Sequence, residues 1–149
     1  MPSYEKSKGR RDKSPPFVKL INIIFDSDAF KDLKSSSRDV LFELIRRHNG
    51  LNNGSISLSC REVALKYKIG KGTASTCFQQ LQLHGFIEPV KMGQFQNRHA
   101  TEWRLTFEAT QNNYGTRKPA TNDWKRYNSA LKKVPDIELR VSPLEPTGI

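Results

Sequence analysis

A chain of 149 residues, 36% of them hydrophobic, suits one compact core with tails better than two full domains. Its formal net charge of +10 favours an anionic partner, usually nucleic acid and sometimes an acidic membrane surface. The chain has no apolar run near the ~20 residues of a membrane span. The opening "MPSYEKSKGRRDKSPP" lacks the apolar stretch of a secretory signal, and Cys60 and Cys77 form no CxxC pair, so two free thiols in a reduced cytoplasm are expected.

In chain order, residues 1–16 read as a basic disordered arm closed by Pro15-Pro16. Phe17, Leu20, Ile21, Ile24 and Phe25 are spaced for one helical face, although their β-branched neighbours also suit a strand; Asp26 or Ser27 would cap a short turn to Leu33. "SSSRDVLFELIRRHNG" predicts a helix capped by Ser36 or Ser37, with Val40, Leu41, Leu44 and Ile45 as its apolar stripe and Asn49-Gly50 as its stop. A turn at Asn52-Asn53-Gly54 leads into a short strand with Ile56 and Leu58 on one side. Ser59 and Glu62 form a capping-box pattern for a second helix, with Val63, Ala64 and Tyr67 inward. A third helix is expected over about 71–84, closed by Gly85, and then a hairpin from "FIEPVKM" and "TEWRLTF" around a basic loop. Residues 17–110 thus form the domain, and 111–149 a basic, partly ordered tail with a short helix over 122–133. Trp124, Tyr127 and Leu131 would pack that tail back on the domain or dock a protein partner.

The stretch "IGKGTASTCFQQLQLHGF" has two readings: a phosphate-gripping loop or the start of a DNA-reading helix. A Walker-type loop needs Ser or Thr after Gly-Lys, and here Gly72 follows Gly70-Lys71; Leu65 stands where the first Gly belongs, and a helix rather than a strand precedes it. The nucleotide reading fails. "VALKYKIGKGTASTCFQQL" instead resembles the helix-turn-helix pattern: Val63-Ala64, the buried turn residue Ile69, Thr73 and Ser75 near the second helix start, and the inward stripe Ala74, Phe78 and Leu81. Lys68 departs from the pattern by standing where Gly usually supplies positive φ; either Gly70 absorbs the strain or Lys68 bears it and gains a phosphate contact.

With the hairpin added, the order is similar to that of winged helix-turn-helix DNA-binding proteins of bacteria and their mobile elements. "RRHNGLNNGSISLSCREVALKYKIGKGTASTCFQQL" also resembles the N-terminal domains of phage replication proteins of the O type. The resemblance implies a mainly α fold, a three-helix core plus wing with an extra N-terminal segment. It further implies sequence-specific binding to double-stranded DNA, as a transcriptional regulator or else as a replication-initiation or recombination accessory protein. An adaptor whose winged helix binds protein is the rival from another class. Cytoplasmic, nucleoid-associated placement follows.

A helix fits the major groove, so the exposed face near 71–84 supplies the candidate base contacts Lys71, Thr73, Ser75, Thr76 and Gln79, with Gln79 and Thr76 foremost. Backbone and wing contacts are expected from Ser59, Arg61, Lys68, Gly72, Gln80, Lys91, Gln96, Asn97 and Arg98. A homodimer would have to use residues 17–33 or the tail around Trp124. His48, His84 and His99 with the two cysteines match no zinc spacing, and no nucleophile motif or paired carboxylate appears. No metal, cofactor or enzymatic role is expected.

Overall fold

The computed structural model describes residues 15–94, 96, 98–137 and 139, so the arm over 1–14 and the end of the tail lie outside the described residues. Among these are five α-helices and a small antiparallel sheet. The helices are α1 (Asn22–Phe25), α2 (Asp28–Lys31), α3 (Ser35–Arg47), α4 (Cys60–Tyr67) and α5 (Lys71–Leu83). Strands β1 (Ile56–Ser57), β2 (Ile87–Lys91) and β3 (Glu102–Leu105) form a sheet in the order β1-β3-β2. A second, two-stranded sheet pairs β4 (Thr110–Gln111) with β5 (Arg117–Lys118). No helix of the described residues is long and apolar enough to cross a membrane.

The core lies where α5 crosses α3 and α4 and backs onto the sheet. Val40, Leu41 and Leu44 of α3, Val63 of α4, and Ala74, Phe78 and Leu81 of α5 are all sealed from solvent, as the helical spacing predicts. The Phe78 ring stacks flat on Trp103 of β3, with centroids 4.8 Å apart, and the Trp103 indole N–H donates to the Leu58 carbonyl at 3.0 Å. Each such aromatic contributes roughly 1.5–3 kcal/mol by leaving water. Asn53, in the predicted turn, is buried. Its side-chain oxygen accepts from the Leu105 N–H at 2.7 Å and its amide donates to the carbonyls of Leu105 and Glu108, each at 2.9 Å. The turn is thereby pinned to β3.

Three elements depart from the sequence expectation. The N-terminal apolar face does not wind into one helix: α1 has four residues, Ile24 is its buried side chain, and Phe17, Ile23 and Phe25 stay exposed. Its β-branched run lacks a cap, whereas Ser27 does cap α2, its hydroxyl accepting from the Phe30 N–H. Helix α3 begins at Ser35 with no side-chain cap, because the Ser37 hydroxyl donates to Gln80 instead. The helix expected over 122–133 is absent. A 3-10 turn (Asp123–Arg126) is followed by an isolated bridge between Asn128 and Lys133. Trp124 is buried and Tyr127 half-buried, but Leu131 is 58% exposed and Val134 takes the inward place.

Candidate functional site

Helix α4 is built by local rules. The Ser59 hydroxyl accepts from the Glu62 N–H at 3.2 Å, and the Glu62 carboxylate accepts from the Ser59 N–H at 2.9 Å, closing the capping box. The chain then turns through Lys68, whose φ of 54° lies in the left-handed region; Gly70, with φ −67°, does not absorb the turn. A side chain in that conformation costs on the order of 1 kcal/mol.

Helix α5 breaks the same rules. No side chain caps it, its first turn has no acidic residue, and Lys71 puts a cation at the positive end of the helix. Gly72 follows, with nothing within 4 Å of a Cβ built on it. At ~100° per residue, Gly72, Thr73, Thr76, Gln79, Gln80 and Leu83 share the outer arc, and the buried residues fill the opposite one. Thr73 and Thr76 are exposed, and Gln79 is half-buried. The Thr76 hydroxyl donates to the Gly72 carbonyl at 3.0 Å, so its proton is committed to the helix backbone while its oxygen can still accept.

Electrostatically this region is one-sided. From Val63 to Thr101 the chain holds one carboxylate, Glu88, and Arg104 is paired with it. Over the same stretch Lys68, Lys71, Lys91 and Arg98 are exposed. Strands β2 and β3 carry a loop whose neck is held by the Gln94–His99 bridge and by the Gly93 N–H donating to the Thr101 hydroxyl at 3.0 Å. Arg98 sits at its tip with φ 53°. Among the described residues no group of three or more His, Cys, Asp or Glu is placed to hold a metal ion.

No family model, curated protein or solved structure matches the chain.

The site residues named from sequence therefore sort by geometry. Gly72, Thr73, Thr76 and Gln79 come together on the outer arc of α5; Lys71 is exposed at its first position, to one side of that arc, Lys68 stands at the turn before it, and Arg61 is exposed on α4. Lys91, Gln96 and Arg98 lie exposed along the β2–β3 loop, and Asn97 lies outside the described residues. Two residues need correction and a third is constrained. Ser75 is 6% exposed and faces the core, since it lies one turn before Phe78 and two before Gln82 on the inner arc. The Ser59 hydroxyl is committed to Glu62, accepting from its N–H and donating to its carboxylate at 3.0 Å. The Gln80 side-chain oxygen accepts from the Lys34 N–H at 3.1 Å and from the Ser37 hydroxyl at 2.5 Å, so of its amide only the N–H donors are left for the expected backbone contact.

Sequence reasoning missed a groove of about 580 Å³ alongside α5, lined by Thr76, Gln79, Gln80 and Leu83 from the helix, Asp32 and Lys34 from before α3, and Tyr127, Ser129 and Lys132 from the C-terminal segment. Next to it His84 is buried, its Nδ1 2.7 Å from the Ala29 carbonyl, which can only accept, so Nδ1 carries the hydrogen. Burial pushes the His84 pKa down and keeps the ring neutral, despite the opposing pull of Ala29 and Asp32. Lys34 lies 98 residues from Lys132 in sequence, so only tertiary packing brings them to one groove.

Proposed function

We propose that the chain is a sequence-specific double-stranded DNA-binding protein of the winged helix-turn-helix type, acting as a transcriptional regulator. In this reading α5 enters the major groove, the β2–β3 loop is the wing, and Arg98 at its tip meets the minor groove or a phosphate. Thr76 and Gln79 read bases: Gln offers both ends of its amide to adenine, and the Thr methyl can meet the thymine methyl. Lys68, Lys71, Arg61 and Lys91 contact phosphates, which position the protein without choosing sequence.

One observation carries the reading. Local stability rules are obeyed in α4 and broken together over residues 68–72, by a left-handed lysine, an uncapped helix start and a cation on its positive end. Such violations concentrate where structure serves a ligand. An anion at the start of α5 answers the uncapped start and the misplaced cation, meeting the free N–H groups, the helix dipole and the Lys71 charge at once; the backbone strain at Lys68 is separate from it.

The test uses opposing signs. Lys71→Glu removes an unfavourable charge from the helix start and should stabilise the fold by about 0.3–1 kcal/mol. Its affinity for duplex DNA should fall sharply and the salt dependence of binding should flatten. A variant that melts higher and still binds duplex as tightly as the parent would contradict the proposal.

A further inference from the structure

The segment 122–134 is a strap fixed at both ends beside α5. Trp124 is buried at one end, and the Val134 N–H donates to the Leu83 carbonyl at 2.8 Å at the other. Between them the Tyr127 ring stacks on His84 with centroids 4.3 Å apart, and its hydroxyl donates to Asp32 at 2.8 Å. Gly85 allows this approach: with φ 81°, a Cβ there would lie 2.7 Å from Asp123, Trp124 and Val134 atoms. The strap's turn is itself braced, with the Lys132 N–H donating to the Asn128 carbonyl at 2.6 Å and the Ala130 N–H to the Asn128 side chain at 2.9 Å.

This bracing sets Ser129 and Lys132 on one bank of the groove that Thr76 and Gln79 floor, with Lys34 on the other bank. Both lysine side chains are exposed, and neither makes an ion pair among the described residues. The carboxylate in the lining, Asp32, accepts from the neutral Tyr127 hydroxyl and keeps its negative charge, so the two lysines leave the groove with a net charge of one positive unit. Lys132 is held at φ 51°, a conformation that disfavours any side chain, yet a lysine stands there.

We infer that the strap is a third DNA-contacting element, in which Lys132 and Lys34 hold from two sides the phosphodiester backbone bordering the groove that α5 enters. This rests on the reading of α5 as the duplex-entering helix. Each ammonium neutralises a phosphate on its own bank, and the Ser129 hydroxyl adds a neutral hydrogen bond. The contact sets how deeply and at what angle α5 seats, and leaves base choice to Thr76 and Gln79.

The experiment measures binding of the full chain to a mixed-sequence duplex across a salt series. Lys34→Gln with Lys132→Gln is compared with Arg117→Gln and Lys118→Gln on β5, which removes the same charge away from this groove. The first pair should lower the slope of log affinity against log salt by about 2 and weaken binding about tenfold, with base preference kept. The β5 pair should change the slope little. Lys132→Gly, which relieves the left-handed turn, should bind more weakly although it folds at least as well. An unchanged slope for the groove pair, or equal losses for both pairs, overturns the strap inference. If the parent binds duplex and Lys71→Glu does not, while the groove pair binds normally, the inference fails and the reading of α5 stands. If the parent does not bind duplex, both fail.

Discussion

Gly72 stands second in α5, exposed, with open space where a Cβ would be. Nothing in the free protein requires a glycine there, and alanine would favour the helix by roughly 0.5–1 kcal/mol. In the proposed complex the bare backbone lets a phosphate or base edge come close. Gly72→Ala is therefore expected to raise the melting temperature and weaken duplex binding; equal or tighter binding would remove Gly72 from the interface. Ser75 and Thr76 show what a sequence discloses at this scale. Both are small hydroxyl residues, and the sequence reading sets both outward, Ser75 on the motif match and Thr76 on the exposed face. Their helical positions separate them, since Ser75 shares the arc of Phe78 and Thr76 the arc of Thr73. That difference was legible from spacing. The tie between Gln80 and Lys34 was not, because a hydrogen bond across 46 residues leaves no local mark.

At the scale of elements, α4 and α5 were readable because each carries its own signals, a capping box in one and an apolar stripe closed by Gly85 in the other. The 122–133 stretch has helical spacing without helix-forming packing: its Trp124 and Tyr127 anchor separately, and Val134 replaces Leu131. The relation of α3 to α4 rests on Glu43, whose side chain is 2% exposed and lies within ion-pair distance of Arg46, Arg47 and Lys66. Burial pushes the Glu43 carboxyl up, but hydrogen bonds from Lys66, Arg46 and Arg47 outweigh it and hold the pKa at about 2, against 4.5 for the ordinary group. A carboxyl depressed in the folded state binds fewer protons there than when unfolded. Its stabilisation is therefore complete above about pH 4.5 and is lost as the pH falls towards 2. Glu43→Gln should cost about 1–3 kcal/mol at neutral pH and flatten the acid limb of the stability curve. Urea unfolding from neutral pH down to about 3 checks both, and an unchanged acid limb would assign the loss to other carboxylates.

Across the whole molecule, charge and shape divide the surface. The net charge of +10 was plain in the composition, but its effective distribution was not. Exposed cations stand at the turn before α5, at its first residue, along the β2–β3 loop and on the strap. Of the acidic groups nearby, Glu62 belongs to the α4 cap and Glu88 to Arg104, while Asp32 accepts from the neutral Tyr127 hydroxyl and Glu102 stands opposite Lys91 across the β2–β3 register. In the proposed complex the outer arc of α5 reads the sequence, with Thr73, Thr76 and Gln79 as its polar reach. Selection of bound fragments from random duplex DNA, run in parallel with the parent and Gln79→Ala, tests this most directly. The parent should enrich a defined motif, and Gln79→Ala should enrich the same motif with one or two positions relaxed, each by roughly 1–3 kcal/mol of discrimination. A parent that enriches no motif, or a variant that binds every sequence more weakly with its preferences intact, would contradict the assignment of base reading to this face of α5.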